Sequence, residues 1–389
     1  MREAVMEKIG QLYEEMVAIR RHLHQHPELS FHETKTAQYI ADYYETLGIP
    51  YEKHVGGNGV VATLVGGQPG KTVALRADFD ALPIQDEKDV PYKSTVDGVM
   101  HACGHDGHTA ALLCLAKALQ AHQAKLPGTV VFLHQHAEEL APGGAKPMIE
   151  AGVLENVDAV FGTHLWIDAP VGTVQTATSE FFAGADAFDI TIQGQGGHGA
   201  QPHQTKDSIL IASQLVTSLQ QIVSRSLDPL HPAVISVGTF HAGEAFNVIA
   251  DQATLKGTVR TYSTCDQDSI KRAMESHIKG ACMSHGATYT FNYHKGYPPL
   301  VNHKEEAELV IQSVMEVPGV QYAYYIDPVM TGEDFAYYML ERPGAFYLTG
   351  AQKEEHNYPH HHPKFDFNER ALPICAKTLF QCYLAYQQK

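Results

Sequence analysis

The sequence predicts an α/β fold: a mixed, mainly parallel sheet covered by helices, with a smaller α+β domain inserted into it. Three observations carry this. Four short apolar runs, KTVALRADFD (71–80), GTVVFLHQHAEE (128–139), VDAVFGTHLW (157–166) and GAFYLTGAQ (344–352), have the length of buried strands and finish in polar, ligand-type residues. Helical patterns, TAALLCLAKALQAH (109–122) and GGAKPMIEAGVL (143–154), separate the first three, and alternating strand and helix implies parallel pairing with both sheet faces covered. At 389 residues the chain is too long for one ordinary core, so a second domain or an insertion is expected.

Taken in order, MREAVMEKIGQLYEEMVAIRRHLHQHPELS alternates charged and apolar residues at helical spacing and lacks the apolar stretch of a signal peptide, so it reads as a first helix. The strand and helix units of the main sheet follow. From about Ala183 the texture changes to a strand around ADAFDITIQ, a helix over DSILIASQLVTSLQQIVSR, strands at AVISVGTFHAG and ATLKGTVRTYS, another helix and a strand at TYTFNYH. That order describes a compact α+β unit over 183–295, leaving 1–182 and 296–389 as one discontinuous larger domain.

Bulk composition narrows the function. The chain is 44% hydrophobic and 19% charged, and no apolar run of 18 or more residues spans a membrane. A formal charge of −16 with no basic cluster excludes a phosphate-backbone ligand, because nucleic-acid affinity comes mainly from Lys and Arg. The six cysteines are too scattered for a disulfide scaffold, so a reducing cytoplasm is expected. The 24 histidines exceed what such a surface needs, and several cluster.

Four groups bear chemistry. In MHACGHDGHTA, Cys103 and His105 flank a flexible Gly104, a spacing from which a thiolate and an imidazole can reach one borderline-soft cation such as zinc or manganese. Glu138 and Glu139 end an apolar strand just before a Gly-rich turn, where one carboxylate can hold a metal while its neighbour faces a substrate water. His164 ends the next strand, ahead of the single tryptophan, Trp166. HNYPHHHPKFDFNE gathers His356, His360, His361 and His362 before Pro363. Each group alone has a bland reading as a core or surface feature. Together, at one rim of a parallel sheet, they exceed what one tetrahedral structural zinc needs and favour a two-metal hydrolytic site.

At this point RRHLHQHPELSFHET, LRADFDALP, MHACGHDGHTA, HAEELAPGGA, GGHGAQPH, AFNVIAD, GTVRTY, TGEDFAYY and HHPKFDFNE resemble, in order, the blocks of the M20 metallopeptidase and amidohydrolase family. The resemblance is to its branch of aminoacylases, hippurate hydrolases and auxin-conjugate hydrolases. It implies two divalent metal ions per subunit (Zn, Mn, Co or Ni), with Cys103, His105, Glu139, His164 and His361 as ligands and Cys103 bridging. It makes Glu138 the general base and gives Asp78 the place of an aspartate that orients a metal-binding histidine, although Arg76 stands where the wider family has that histidine. His198 matches an oxyanion-stabilising histidine from a partner subunit, while Asn247 and Arg260 match positions that hold the substrate carboxylate. The smaller domain is then a lid and dimerisation surface, and a homodimer or homotetramer is expected.

The implied activity is hydrolysis of the amide bond of N-acyl amino acids, with a metal-activated water and Glu138 as base. A dipeptidase or carboxypeptidase of the same fold is the alternative, and a non-enzymatic metal-binding protein a more distant one. The substrate is a small molecule, with no nucleic acid and no membrane involved. Two departures stand out: LHQHAEE replaces the usual FQPAEE, adding His134 and His136, and His360 replaces a leucine, leaving open which of His360, His361 and His362 is the ligand.

Overall fold

The computed structural model describes residues 1–355 and 357–389; His356 of the carboxyl-terminal histidine cluster lies outside the described residues. Its amino-terminal third runs α1 (Arg2–Gln11), α2 (Tyr13–Gln25), α3 (Thr34–Leu47), β1 (Tyr51–Val55), β2 (Gly59–Val65) and β3 (Gln68–Asp78). Then come α4 (His105–Gln120), β4 (Pro127–Gln135), α5 (Ala145–Glu150), β5 (Ala159–Trp166) and β6 (Thr173–Thr176). The middle of the chain forms β7 (Gly184–Gln193), α6 (Ser208–Gln221), β8 (Ala233–Ala242), β9 (Gln252–Thr261), α7 (Thr264–His285) and β10 (Thr288–Tyr297). The last part is α8 (Lys304–Val314), β11 (Tyr322–Tyr325), α9 (Ala336–Glu341), β12 (Gly344–Gly350) and α10 (Ala371–Tyr386).

The chain divides into two compact units, residues 1–181, 301–327 and 334–389 in the larger and 182–300 with 328–333 in the smaller. The smaller unit thus takes in 328–333, which the sequence reading left in the larger domain, and it runs on past 295 because β10 continues to Tyr297.

The larger unit is built on an eight-stranded sheet ordered β1-β2-β4-β3-β5-β12-β6-β11. Its centre, β4-β3-β5-β12, pairs in parallel and consists of the four strands read from sequence. Strands β4, β5 and β12 and the second half of β3 are nearly wholly buried, which is why they read as continuous apolar runs. Edge strands β1, β6 and β11 have no such run, while β2, GVVATLV, has one and pairs antiparallel with β4; sequence reasoning passed over all four. Helix α4 lies against α2, α10 and β3, and 14 of its 16 residues are buried. A helix buried on nearly every side must be apolar nearly all round, and HDGHTAALLCLAKALQ is, apart from its first turn and the two residues that reach the surface, Lys117 and Gln120. That first turn carries the chemistry.

In the smaller unit a four-stranded antiparallel sheet, β8-β9-β7-β10, has α6 and α7 packed on one face, Leu215 and Ile278 of the helices meeting Ile190, Ile192 and Leu255 of the sheet in one core. Among the described residues no helix is long and apolar enough to cross a membrane, and all six cysteines are free thiols.

Candidate metal centre

The parallel centre of the large sheet delivers its polar residues to one rim. Strand β3 ends at Asp78 and leads to Asp80, β4 leads to Glu138 and Glu139, and β5 carries His164 near its carboxyl end. Gly104, with φ +100, sits just before α4 in a backbone conformation that side chains rarely adopt, and it lets the chain turn between Cys103 and His105.

There the atoms converge. Cys103 Sγ lies 3.3 Å from His164 Nε2. The other nitrogen of His164, Nδ1, is 2.9 Å from the Leu165 carbonyl, so it carries the proton and leaves the Nε2 lone pair facing the thiol. His105 is gripped in the same way: Nδ1 donates to Asp80, 3.1 Å from Oδ1 and 3.2 Å from its carbonyl oxygen. His105 Nε2 is buried with no hydrogen-bond partner; its nearest carboxylate oxygens, on Asp78 and Glu139, are 3.7 and 3.9 Å away. Glu139 Oε1 in turn lies 3.2 Å from His361 Nε2.

Ligand-type atoms of Cys103, His105 and His164 all lie within 4.8 Å of one another, and so do those of Cys103, Glu139 and His361, and of His105, Glu138 and Glu139. Two of these groups share Cys103, which is what a bridging ligand requires. The donor set of one thiol, three imidazoles and carboxylates suits zinc, manganese, cobalt or nickel. The orphaned Nε2 of a histidine whose Nδ1 is held by a carboxylate is the arrangement of metal-binding histidines. The residues fit a metal pair.

The charges fit as well. Burial pushes His105 down, but Asp78 and Asp80 outweigh it and raise the imidazole to about 10. Burial, with Glu139, Glu138 and Asp78 close by, pushes the Cys103 thiol well above its ordinary value. Burial also holds His164 well below, so that it stays neutral. A site rich in buried carboxylates holds its protons until a cation replaces them.

The remaining predicted residues fall into place unevenly. Asp78 does not grip His105 through the ring's far nitrogen: its oxygens take Arg76 Nη1 at 2.5 Å and His108 Nδ1 at 2.6 Å. Asp80 holds His105 instead, and also accepts from Ser30 Oγ at 2.7 Å and the Glu139 amide at 2.9 Å. Sequence reasoning placed Asp80 at the strand end but gave it no role; the signal was its position two residues past Asp78. His108, the third histidine of the motif, is a strut, since its Nε2 accepts the Leu165 amide at 2.9 Å and both nitrogens are occupied.

Of the three consecutive histidines, His361 faces Glu139. His360 lies between the rings of Trp166 and Phe365, with Nδ1 3.9 Å from Cys103 Sγ, and burial pushes it down to about 3. His362 accepts the Lys364 amide at 3.0 Å and stacks on Tyr358. His134 points into the core, bonded to the Tyr44 hydroxyl at 2.9 Å, and contributes no ligand atom. His136 is buried beside Phe31.

Behind the metal motif, buried Arg20 binds Asp106, Asp366 and Glu369 at 3.0, 2.7 and 3.1 Å, and His24 holds Asp106 at 2.7 Å. This network ties the start of α4 to α2 and to the segment after the histidine cluster.

The other three predicted residues lie in the smaller unit. His198 pairs with Val248 in a two-residue ladder, and the Gly199 amide donates to the Asn247 carbonyl at 2.9 Å, so His198 and Asn247 are neighbours. The Arg260 guanidinium is turned along its own sheet, donating to the Val259 carbonyl at 3.0 Å and to Thr258 Oγ1.

Comparison with known proteins agrees with this geometry. The model of peptidase family M20/M25/M40 matches residues 74–385. YhaA of Bacillus subtilis, assigned to the amidohydrolases, is 54% identical over 390 residues, covering 100% of this chain and 98% of that protein. The N-acyl-L-amino acid amidohydrolase of Geobacillus stearothermophilus is 46% identical over 304 residues, 78% of this chain and 82% of that protein. The crystal structure of a dinuclear metal-binding M20 peptidase from Bacillus subtilis superposes with a TM-score of 0.84 at 34% identity, covering 98% and 99% of the two chains.

Proposed function

This chain belongs to peptidase family M20/M25/M40, and from that premise we propose that it is a metal-dependent amidohydrolase of N-acyl amino acids. The observation that carries the reading is the orphaned, buried Nε2 of His105, set among Cys103, His164, Glu139 and Glu138. Two divalent ions held by Cys103, His105, Glu139, His164 and His361 would supply Lewis acidity at the amide carbonyl and bring the pKa of water toward neutrality.

The chain's own residues do the rest. Glu138, buried and within 4.8 Å of His105 and Glu139 by its carboxylate oxygen, takes the proton of the attacking water and delivers it to the leaving amine. Asp80 keeps the His105 proton on Nδ1, and the Leu165 carbonyl does the same for His164. Burial of His105 and His164, with Cys103 half-buried beside them, limits bulk water and strengthens the charge interactions among them. Asp78 holds Arg76 and His108 in place beneath the ligands.

We further propose that His198 stabilises the oxyanion from a partner subunit, that Asn247 and Arg260 hold the substrate carboxylate, and that the smaller unit serves as lid and dimer surface in a cytoplasmic homodimer or homotetramer. The test is release of free amino acid from N-acetyl, N-benzoyl and indole-acetyl amino acids and simple dipeptides, using chelator-stripped protein with and without manganese or zinc. Metal-dependent release from the acyl amino acids is expected. Release from dipeptides alone moves the reading to a peptidase, and silence across the panel with metal bound refutes it.

A further inference from the structure

The segment that carries both glutamates is bent at Ala137, whose φ of 53 lies in the left-handed region that residues with a Cβ avoid. A non-glycine residue stays there only when its surroundings hold it. One contact does so directly: Glu33 Oε1 accepts the Ala137 amide at 2.8 Å, a buried bond between residues far apart in the chain. The second oxygen of Glu33 accepts Asn58 Nδ2 at 2.9 Å, so the carboxylate itself is held from behind.

The neighbours leave the bend no slack. Gly57 packs so closely on the preceding residue that a Cβ there would come within 2.6 Å of His136 Nε2, and one at Gly144 would come within 1.9 Å of the His136 carbonyl. Glu33 is fully buried, and burial, then Asp80, pushes its carboxyl up to about 7, against the pull of its hydrogen bonds. A buried acid kept at that electrostatic cost, outside the ligand set, bonds the amide immediately before Glu138.

We propose that Glu33 is a positioning residue: by holding the Ala137 amide it maintains the left-handed turn that aims Glu138 and Glu139 into the metal centre. This rests on the reading of Glu138 as base and Glu139 as ligand. Without the clamp, Ala137 relaxes toward an ordinary φ, and the carboxylates that follow it swing away together.

The experiment compares Glu33→Ala, Glu33→Gln, Ala137→Gly and Glu33→Ala/Ala137→Gly, measuring kcat and KM on N-acyl amino acids and the affinity of the chelator-stripped protein for Mn²⁺ by titration calorimetry. Loss of an outer-shell contact typically costs about 10–100-fold in metal affinity or activity, so Glu33→Ala is expected to lose that much in kcat and Mn²⁺ affinity, with KM within about threefold. Glu33→Gln retains an acceptor for the amide once Asn58 turns its oxygen inward, and is expected to recover most of the loss. Glycine adopts the left-handed turn without a clamp, so Ala137→Gly is expected to restore the double variant toward wild type.

Wild-type kcat and Mn²⁺ affinity in Glu33→Ala would overturn the proposal. So would a loss that Ala137→Gly does not repair, since that would locate the effect in the folding of α3. If Glu33→Ala does not fold, Glu33→Asp, one methylene too short to reach the amide, replaces it with the same expectations. Wild-type protein that binds Mn²⁺ but hydrolyses none of the panel refutes the hydrolase reading instead, and the Mn²⁺ affinities still decide for or against the clamp.

Discussion

Replacing Asp80 by asparagine removes one charge and one acceptor from a carboxylate that serves both sides of the metal centre. Its Oδ1 receives His105 Nδ1 at 3.1 Å, and its Oδ2 receives Ser30 Oγ at 2.7 Å and the Glu139 amide at 2.9 Å. An asparagine has a single oxygen, and neither orientation works. With the oxygen toward His105, the amide nitrogen faces the Glu139 N–H, donor against donor; the Ser30 hydroxyl can turn to accept, but the backbone amide cannot. With the oxygen toward Glu139, the side-chain nitrogen faces His105 Nδ1, donor against donor, and only the longer contact to the Asp80 carbonyl at 3.2 Å is left to keep the proton off Nε2, the atom that should hold the metal. Either way one charge-assisted bond is lost, about 1.5–3 kcal/mol. Taken out of metal binding, a loss of about 1.4–2.8 kcal/mol is about 10–100-fold in affinity. The assay is Mn²⁺ titration of the chelator-stripped protein at pH 7.5, with circular dichroism to confirm folding. A folded Asp80→Asn protein with Mn²⁺ affinity within about twofold of wild type would refute the argument that Asp80 sets the His105 tautomer.

Four further outcomes are expected. Glu138→Gln should keep its metal content and lose at least about 10²-fold in turnover; unchanged turnover removes Glu138 as base. Cys103→Ser should bind metal more weakly, because a hydroxyl is a poorer ligand than a thiolate, and full occupancy by elemental analysis would contradict this. His361→Ala should lose metal while His360→Leu keeps it, and the reverse result would transfer the ligand role to the ring between Trp166 and Phe365. Arg20→Leu should lose about 3–5 kcal/mol of stability at pH 7, since it leaves Asp106 buried without its cation. Burial alone would raise the Asp106 and Asp366 carboxyls, but Arg20 and their other partners outweigh it and hold both well below the usual range. Their contribution is therefore complete above the unfolded carboxylate value of about 3.9 and lost as pH falls through the folded values. Urea unfolding should show the wild-type advantage shrinking below about pH 4, and a constant difference would count against the network.

Reading the sequence located the site better than it explained it. Glu139 and His164 could be picked out because ligand-type residues follow apolar strands, and such strands in a parallel sheet end at one rim, whereas Cys103 and His105 stood out by their spacing around Gly104 and His361 only through the resemblance to the M20 family. The division of labour between Asp78 and Asp80 was invisible. Both sit at the same strand end, and only the path of the chain beyond β3 sends one to His105 and the other to Arg76 and His108. His134 looked like an added imidazole near the site, yet strand alternation turns it inward to Tyr44.

What the sequence determined by itself was set by local pattern: the four central strands, the buried helix α4, the α+β order of the smaller unit and the clusters of ligand-type residues. These follow from hydrophobic period and from residue chemistry, which need no knowledge of distant neighbours. The tertiary structure decided what depends on long-range contact. It tied Glu33 to Ala137, Arg20 to Asp106 and Asp80 to His105, and it sent His108 and His360 to roles that their places in the motifs do not reveal. The physical reason is that a side chain's protonation, tautomer and aim are fixed by the groups packed around it, and those groups come from other parts of the chain.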